Sequence, residues 1–302
     1  MDEQYTKQVT LLLRIIPELN KIPEFAMHGG TAINLFYHDM PRLSVDIDLT
    51  YIPFDSREKD LQNIGLLLKK LSEKLKRNIP GIQVTPGSFS HEEMKLFCRK
   101  INAEVKIEVN TINRGVIKAT ETHTLCNAAQ NHFNLFCEMN IVPESQLFGG
   151  KMVAALDRQH PRDLFDTKKL LNRMNLTPDL MEGFLYCLFS SKRPLIEVLK
   201  PNYLNQESSL INQFAGMSAE VFTYTMFKNE RERLIAAIHK NMTSQQKQMI
   251  INFKEGHPDW LYEDWSKYPG IAWKLMNINK LKHNNPKKWR DQISQLKKLL
   301  FY

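Results

Sequence analysis

The sequence predicts an α+β fold: a small mixed sheet flanked by helices, followed by an all-helical C-terminal domain. Two observations carry this. Helix and strand signals alternate up to about residue 142, and from Glu144 to the end the apolar spacing is helical throughout. The expected division is therefore 1–142 and 143–302, with no internal repeat or low-complexity linker.

Val9, Leu12, Leu13, Ile16 and Leu19 recur at helical spacing, so residues 4–20 read as an amphipathic helix. A short helix is expected after Gly29-Gly30, and Ser44 to Ile52 reads as a strand. Residues 57–77 form a long helix that ends at Ile79-Pro80-Gly81. The basic run at its end (Lys69, Lys70, Lys74, Lys76, Arg77) suits the negative pole of a helix C-terminus. Strand-like runs follow at 82–85, 94–99 and 103–110, and another lies near 133–142. Pro143 precedes the first helix of the C-terminal part, and Pro161 opens a second at its first turn.

Of the 302 residues, 42% are hydrophobic and 25% charged, which excludes a disordered or fibrous chain. No apolar run approaches the ~20 residues of a membrane span. The acidic start Met1-Asp2-Glu3-Gln4 lacks the pattern of a signal peptide, so a cytoplasmic location is expected. Cys98, Cys126, Cys137 and Cys187 contain no CxxC pair and read as reduced, mostly buried thiols.

The formal net charge of +8 is segregated. Residues 1–150 hold 17 Lys/Arg against 18 Asp/Glu, whereas residues 151–302 hold 24 against 15. Residues 267–302 alone carry nine basic side chains against one acid, Asp291. Such an excess points to a polyanion, with nucleic acid the commonest, or to a solvated helix face. Trp260, Trp265, Trp273 and Trp289 lie in the same region; they could stack on unpaired bases or fill a helical core.

The sharpest motif is Asp46-Ile47-Asp48. Side chains alternate along a strand, so both carboxylates share one face, about 7 Å apart, while Val45, Ile47 and Leu49 face the core. Such a pair suits a hard divalent cation, Mg²⁺ or Mn²⁺. With its first glycine seventeen residues upstream of Asp46, His28-Gly29-Gly30-Thr31 leads into an apolar helix start. The glycines permit close backbone approach, Thr31 can cap the helix or bond a phosphate, and the free N–H groups form an anion site. In Val105 to Asn110, Lys106, Glu108 and Asn110 share the face opposite the apolar residues. If this strand pairs beside the Asp46/Asp48 strand, Glu108 completes an acidic triad. Finally, Lys151, Ala155 and Arg158 fall on one helical face, and Arg162-Asp163 with Asp166 follow Pro161. These residues have the makings of a triphosphate grip with a catalytic base.

The ordered set of His28–Ala32, Arg42-Leu43-Ser44-Val45-Asp46-Ile47-Asp48-Leu49, Lys106–Asn110 and Lys151…Arg158…Arg162-Asp163…Asp166 resembles the AbiEii-type nucleotidyltransferase toxins, of the DNA-polymerase-β-like nucleotidyltransferase superfamily. Tyr268-Pro269-Gly270-Ile271-Ala272-Trp273 to Asn277 is similar to a segment of the family's C-terminal part. The resemblance implies a short nucleotidyltransferase sheet with a helical C-terminal domain. It also implies a toxin of a bacterial toxin–antitoxin or phage-defence system, with a cognate antitoxin protein as partner. The expected reaction moves a nucleoside monophosphate from an NTP to RNA, at the acceptor end of tRNA. Gly29, Gly30 and Thr31 would hold triphosphate, with Arg42 and Ser44 as positioning residues and Arg158 and Arg162 beside the phosphates. Asp46 and Asp48 would ligate Mg²⁺, joined by Glu108, where superfamily members often carry Asp. Lys151 would contact phosphates, and Asp163 or Asp166 would be the additional acidic catalytic residue. Other readings are nucleotidylation of a protein or small molecule, and a non-catalytic NTP- or RNA-binding module.

Overall fold

The computed structural model describes residues 3–87 and 93–302; Met1 and Asp2 of the acidic start lie outside them. The chain divides into two compact units, one of residues 1–147 with 211–221, the other of residues 148–210 with 222–302. Residues 211–221, far along the sequence, thus belong to the first unit.

The first unit is built on a seven-stranded sheet. In chain order its elements are α1 (Glu3–Leu19), β1 (Phe25–His28), α2 (Gly29–Ala32), β2 (Asp46–Tyr51), α3 (Arg57–Asn78), β3 (Gln83–Pro86), β4 (Glu93–Lys100), β5 (Ala103–Asn110), β6 (Glu121–Thr124), α4 (Asn127–Phe133) and β7 (Glu138–Ile141). The spatial order is β3-β4-β5-β2-β1-β7-β6. The sheet is mixed: β2 runs parallel to β5 and antiparallel to β1, and β1 runs parallel to β7.

The apolar stripe of α1 (Val9, Leu12, Leu13, Ile16 and Leu19) is buried as its spacing predicts. Ser56 caps α3 by accepting the Lys59 N–H. Three elements escaped the sequence reading. β1 is four residues long and almost wholly buried, too short to display an alternation. β6 (Glu-Thr-His-Thr) has no buried residue and so no apolar signal. α4 ends at Phe133 with Asn134 left-handed, and residues 134–137 are turn and irregular chain, so of the run near 133–142 only Glu138–Ile141 is strand.

The second unit is helical, as expected. α5 (Glu144–Asp157), which enters it at Phe148, leads into α6 (Pro161–Arg173), α7 (Pro178–Ser190), α8 (Leu195–Leu199), α9 (Glu207–Gln213), which leaves it after Leu210, α10 (Tyr224–Asn241), α11 (Ser244–Glu255), α12 (Pro269–Asn284) and α13 (Pro286–Phe301). Pro161 sits in the first turn of α6, where its missing N–H costs nothing. Of the tryptophans, one fills the helical core and another is exposed. Trp265 is fully buried, stacked on Tyr262 with ring centroids 5.1 Å apart and meeting Tyr186, Phe189 and Trp260. Trp273 on α12 is 40% exposed. Among the described residues no helix is long and apolar enough to cross a membrane. None of the four cysteines is in a disulfide, and burial pushes the thiols of Cys98, Cys137 and Cys187 up to about 12.

Candidate active site

The acidic pair lies at the start of β2, in the middle of the sheet. Ile47 and Leu49 are buried while Asp46 and Asp48 remain half-exposed on the other face, as the alternation requires. The conditional pairing of the two acidic strands is realised. β2 and β5 run parallel with Asp46 opposite Lys106 and Asp48 opposite Glu108, so Glu108 stands on the same face as the aspartates.

Glu108 is engaged by two ammonium groups, Lys95 Nζ at 2.5 Å and Lys106 Nζ at 2.9 Å. Burial works to raise its pKa, but these two lysines outweigh it and hold the carboxyl below the ordinary range. Lys106 shows the complement. Burial works to lower it, and Glu108, Asp46 and Asp48 together push it above the usual lysine value. Lys106 Nζ also lies 3.9 Å from Asp46 Oδ1. Lys95 is raised by Glu108 first and Glu93 second. The face therefore alternates acid and base before any ligand arrives. Among the described residues no three His, Cys, Asp or Glu side chains form a metal cage by themselves.

The glycine pair lies against these groups. His28 ends β1 directly across from Asp48. The chain then turns at Gly29, whose φ of +79° is a conformation that L side chains rarely adopt. A Cβ built on Gly29 would lie 2.4 Å from Asp48 Oδ2. One built on Gly30 would lie 2.8 Å from Arg42 Nη2 and 2.9 Å from Ser44 Oγ. Only glycine leaves room for backbone, carboxylate and guanidinium at these distances.

Thr31 is buried inside the helix that starts at Gly29, and the cap position is taken by His28 without a side-chain bond. The Thr31 hydroxyl donates to the Asp46 carbonyl and lies 3.1 Å from Ser44 Oγ. Thr31 therefore does not cap the helix; it ties α2 to the first residue of β2. Arg42 is 2% exposed and donates from Nη1 to the Leu43 carbonyl at 2.8 Å. The run-up to β2 is held further by the 211–221 segment. Leu43 N–H donates to the Met217 carbonyl at 2.7 Å, and Ser218 Oγ to the Pro41 carbonyl at 2.9 Å.

A second cluster belongs to the helical unit. Lys151 of α5 is buried and reaches two carboxylates of α6, Asp163 Oδ1 at 2.8 Å and Asp166 Oδ2 at 3.0 Å. Arg158 donates to Asp163 from Nε at 2.5 Å and from Nη2 at 3.0 Å. The one-face spacing of Lys151 and Arg158 thus converges on a single acid. Burial works to raise Asp163, but the charges of Lys151 and Arg158 overcome it and hold the carboxyl far below its ordinary range. Such an acid stays ionised and accepts a proton poorly. Arg162 follows Pro161 in the first turn of α6, where its N–H donates to His160 Nδ1 at 3.2 Å.

Sequence reasoning missed Lys95, the second ammonium on Glu108; His28 was read only as the first residue of the glycine motif, without its place across from Asp48. No local signal marks either position, because strand pairing sets both: Lys95 opposite Glu108 and His28 opposite Asp48.

The AbiEii family, described as the nucleotidyl transferase AbiEii toxin of type IV toxin–antitoxin systems, matches residues 10–276. Among solved structures the chain is similar to MenT4, a nucleotidyltransferase toxin from Mycobacterium tuberculosis H37Rv. The likeness has a TM-score of 0.63 at 11% identity and covers 91% of this chain and 93% of that one. A GLD-2/RNP-8 complex aligns over 97% of this chain and 93% of that one at 11% identity, with a TM-score of 0.29 that carries no argument about fold. No curated protein matches significantly. The family match spans all the motifs from the glycine pair to Asp166, and the chain belongs to the AbiEii nucleotidyltransferase toxin family.

Proposed function

We propose that this nucleotidyltransferase moves a nucleoside monophosphate from an NTP to RNA, at the acceptor end of tRNA, with Mg²⁺ or Mn²⁺ as cofactor. The observation that carries this reading is the placement of Asp48 beside the Gly29 backbone, with Asp46 on the same strand face. Carboxylates and closely approachable backbone in one place suit an ion together with the triphosphate it accompanies.

Asp46 and Asp48 hold the ion, and Glu108 is the third ligand candidate, opposite Asp48 and at present bound by Lys95 and Lys106. When bound, the ion neutralises triphosphate charge and lowers the pKa of the attacking hydroxyl. Gly29 and Gly30 present backbone to the phosphates. Thr31, Ser44 and Arg42 keep that backbone and the start of β2 in register. Lys151, Arg158 and Arg162 supply positive charge for phosphate, and Asp163 and Asp166 orient Lys151 through two direct ion pairs. The protein's task is placement and charge stabilisation, the main requirements of transfer at phosphorus.

The acceptor is argued from charge. Nine basic side chains against one acid over residues 267–302 suit a polyanion rather than a small neutral substrate. A cognate antitoxin is the further partner that the family implies.

The test is incorporation of label from each of the four α-³²P-NTPs into total bacterial RNA with Mg²⁺, run beside Asp48→Ala. Label from one NTP that disappears in the folded variant supports the reading. Label that persists in the variant overturns the assigned site, and label found in protein rather than RNA overturns the acceptor.

A further inference from the structure

A cavity of about 300 Å³ opens in the helical unit, remote in sequence from the glycine, acidic-strand and Lys151–Asp166 motifs and walled in part by the 268–277 segment. Three helices each contribute a lysine to its wall: Lys254 from α11, Lys274 from α12 and Lys288 from α13. Lys192 and Arg193 join them from the loop after α7, and none of the residues lining it is Asp or Glu. Arg193 is paired with Asp157 and Glu197, which are not among the lining residues.

We propose that this cavity binds one phosphate group. Two of its lysines are almost fully buried, Lys274 at 9% and Lys254 at 6% exposure, a costly arrangement unless a counter-charge is supplied. Lys274 is fixed in place: its ammonium donates to the Leu188 carbonyl (3.0 Å), Ser191 Oγ (3.0 Å) and the Arg193 carbonyl (2.8 Å). With those donors used, Lys274 offers its charge. Lys254 donates to Gln292 Oε1 at 2.5 Å and keeps further donors for a ligand. Lys288 is exposed.

The lysines also repel one another. Burial lowers Lys274 to about 7, with the Lys254 charge acting in the same direction and Asp157 against it. Lys254 is lowered to about 8 by burial and by Lys288. A bound phosphate relieves both penalties at once. Ser191, Asn277 and Gln292 add neutral polar groups to the wall, matching an anion with several acceptor oxygens.

That phosphate chemistry has two sources, a backbone phosphate of the acceptor RNA and a free inorganic phosphate. The exposed Trp273 in the same wall and the basic excess of residues 267–302 favour RNA, a source that rests on the function proposed above.

The test uses the full chain without NTP. Inorganic phosphate is titrated calorimetrically, and a twelve-nucleotide single-stranded RNA is titrated by anisotropy over a range of salt. Wild type is compared with Lys288→Ala, which changes an exposed side chain, and with Lys254→Gln. The expected result is about tenfold weaker phosphate binding in both variants. Several-fold weaker RNA binding should accompany it, with a salt slope reduced by about one. Loss of phosphate binding with unchanged RNA affinity keeps the cavity and assigns it to free phosphate. Unchanged binding of both ligands in the folded Lys288→Ala variant and in Lys254→Gln overturns the proposal. Neither result depends on nucleotide transfer, so failure of the labelling assay is a separate outcome.

Discussion

Gly29 and Asp48 are fitted to each other at the limit of contact. A single added carbon on Gly29 would lie 2.4 Å from Asp48 Oδ2, in a backbone conformation with φ of +79°. Gly29→Ala therefore combines a left-handed strain of about 1–2 kcal/mol with displacement of the carboxylate. The expected outcome is an unfolding free energy from urea titration lowered by about 1–2 kcal/mol and NMP incorporation reduced about a hundredfold or more. Normal incorporation would show that the close approach has no part in the reaction.

Asp46→Asn and Asp48→Asn keep side-chain size and remove charge. Both aspartates are half-exposed on a strand whose other face forms the core, so the fold should survive. Incorporation should fall by about a hundredfold or more, with thermal midpoints close to wild type. Chelation should abolish wild-type incorporation, and Mg²⁺ or Mn²⁺ should restore it. Activity that resists the chelator would remove the metal from the mechanism.

Glu108 tests a finer point. Its carboxylate is shared by Lys95 and Lys106, at 2.5 and 2.9 Å. If it joins the ion, Glu108→Gln should raise the Mg²⁺ concentration needed for half-maximal incorporation while leaving activity at saturating Mg²⁺ well above that of Asp48→Asn. An unchanged Mg²⁺ requirement would leave Glu108 as a partner of the lysines alone.

The local motifs were legible because their period is their geometry. Alternation in Asp46-Ile47-Asp48 specified a shared face, and helical spacing placed Lys151 and Arg158 together. What pairs with what was not legible. That Glu108 stands opposite Asp48 follows from a parallel register across more than fifty intervening residues, and strand propensity carries no such information. The anchoring of Leu43 and Pro41 by Met217 and Ser218 is longer in range still. β1 was invisible for a different reason: four residues buried on both faces show no alternation, although this strand delivers Gly29 to Asp48.

Lys151 is the hinge of the second cluster. It is buried, and both Asp163 and Asp166 reach it within 3.0 Å. Lys151→Met leaves the Asp166 carboxylate without this partner in the interior, and Asp163 with Arg158. Breaking a buried pair by removing one member costs about 3–5 kcal/mol. Lys151→Arg keeps the charge but changes the shape of the donor. The expected pattern is a large fall in urea midpoint for Lys151→Met, a small one for Lys151→Arg, and strongly reduced incorporation in both. Full incorporation by a folded Lys151→Arg would reduce the residue to a structural counter-ion.

Asp163 gives the cluster a pH signature. Its folded-state pKa lies well below the unfolded value of about 4, because Lys151 and Arg158 favour the carboxylate more than burial disfavours it. A depressed folded value means that the stabilisation is complete above the unfolded pKa and is lost as pH falls toward the folded one. Between pH 8 and 5 the difference in stability between wild type and Asp163→Asn should therefore be constant, with wild type the more stable. Below about pH 4 the two should converge, as wild type loses the charged pair that the variant already lacks. Urea titrations at each pH measure that difference. A gap that narrows between pH 8 and 5 would show that the Asp163 carboxylate takes up a proton near neutrality, as a catalytic base does, rather than serving as a permanent anion that fixes Lys151.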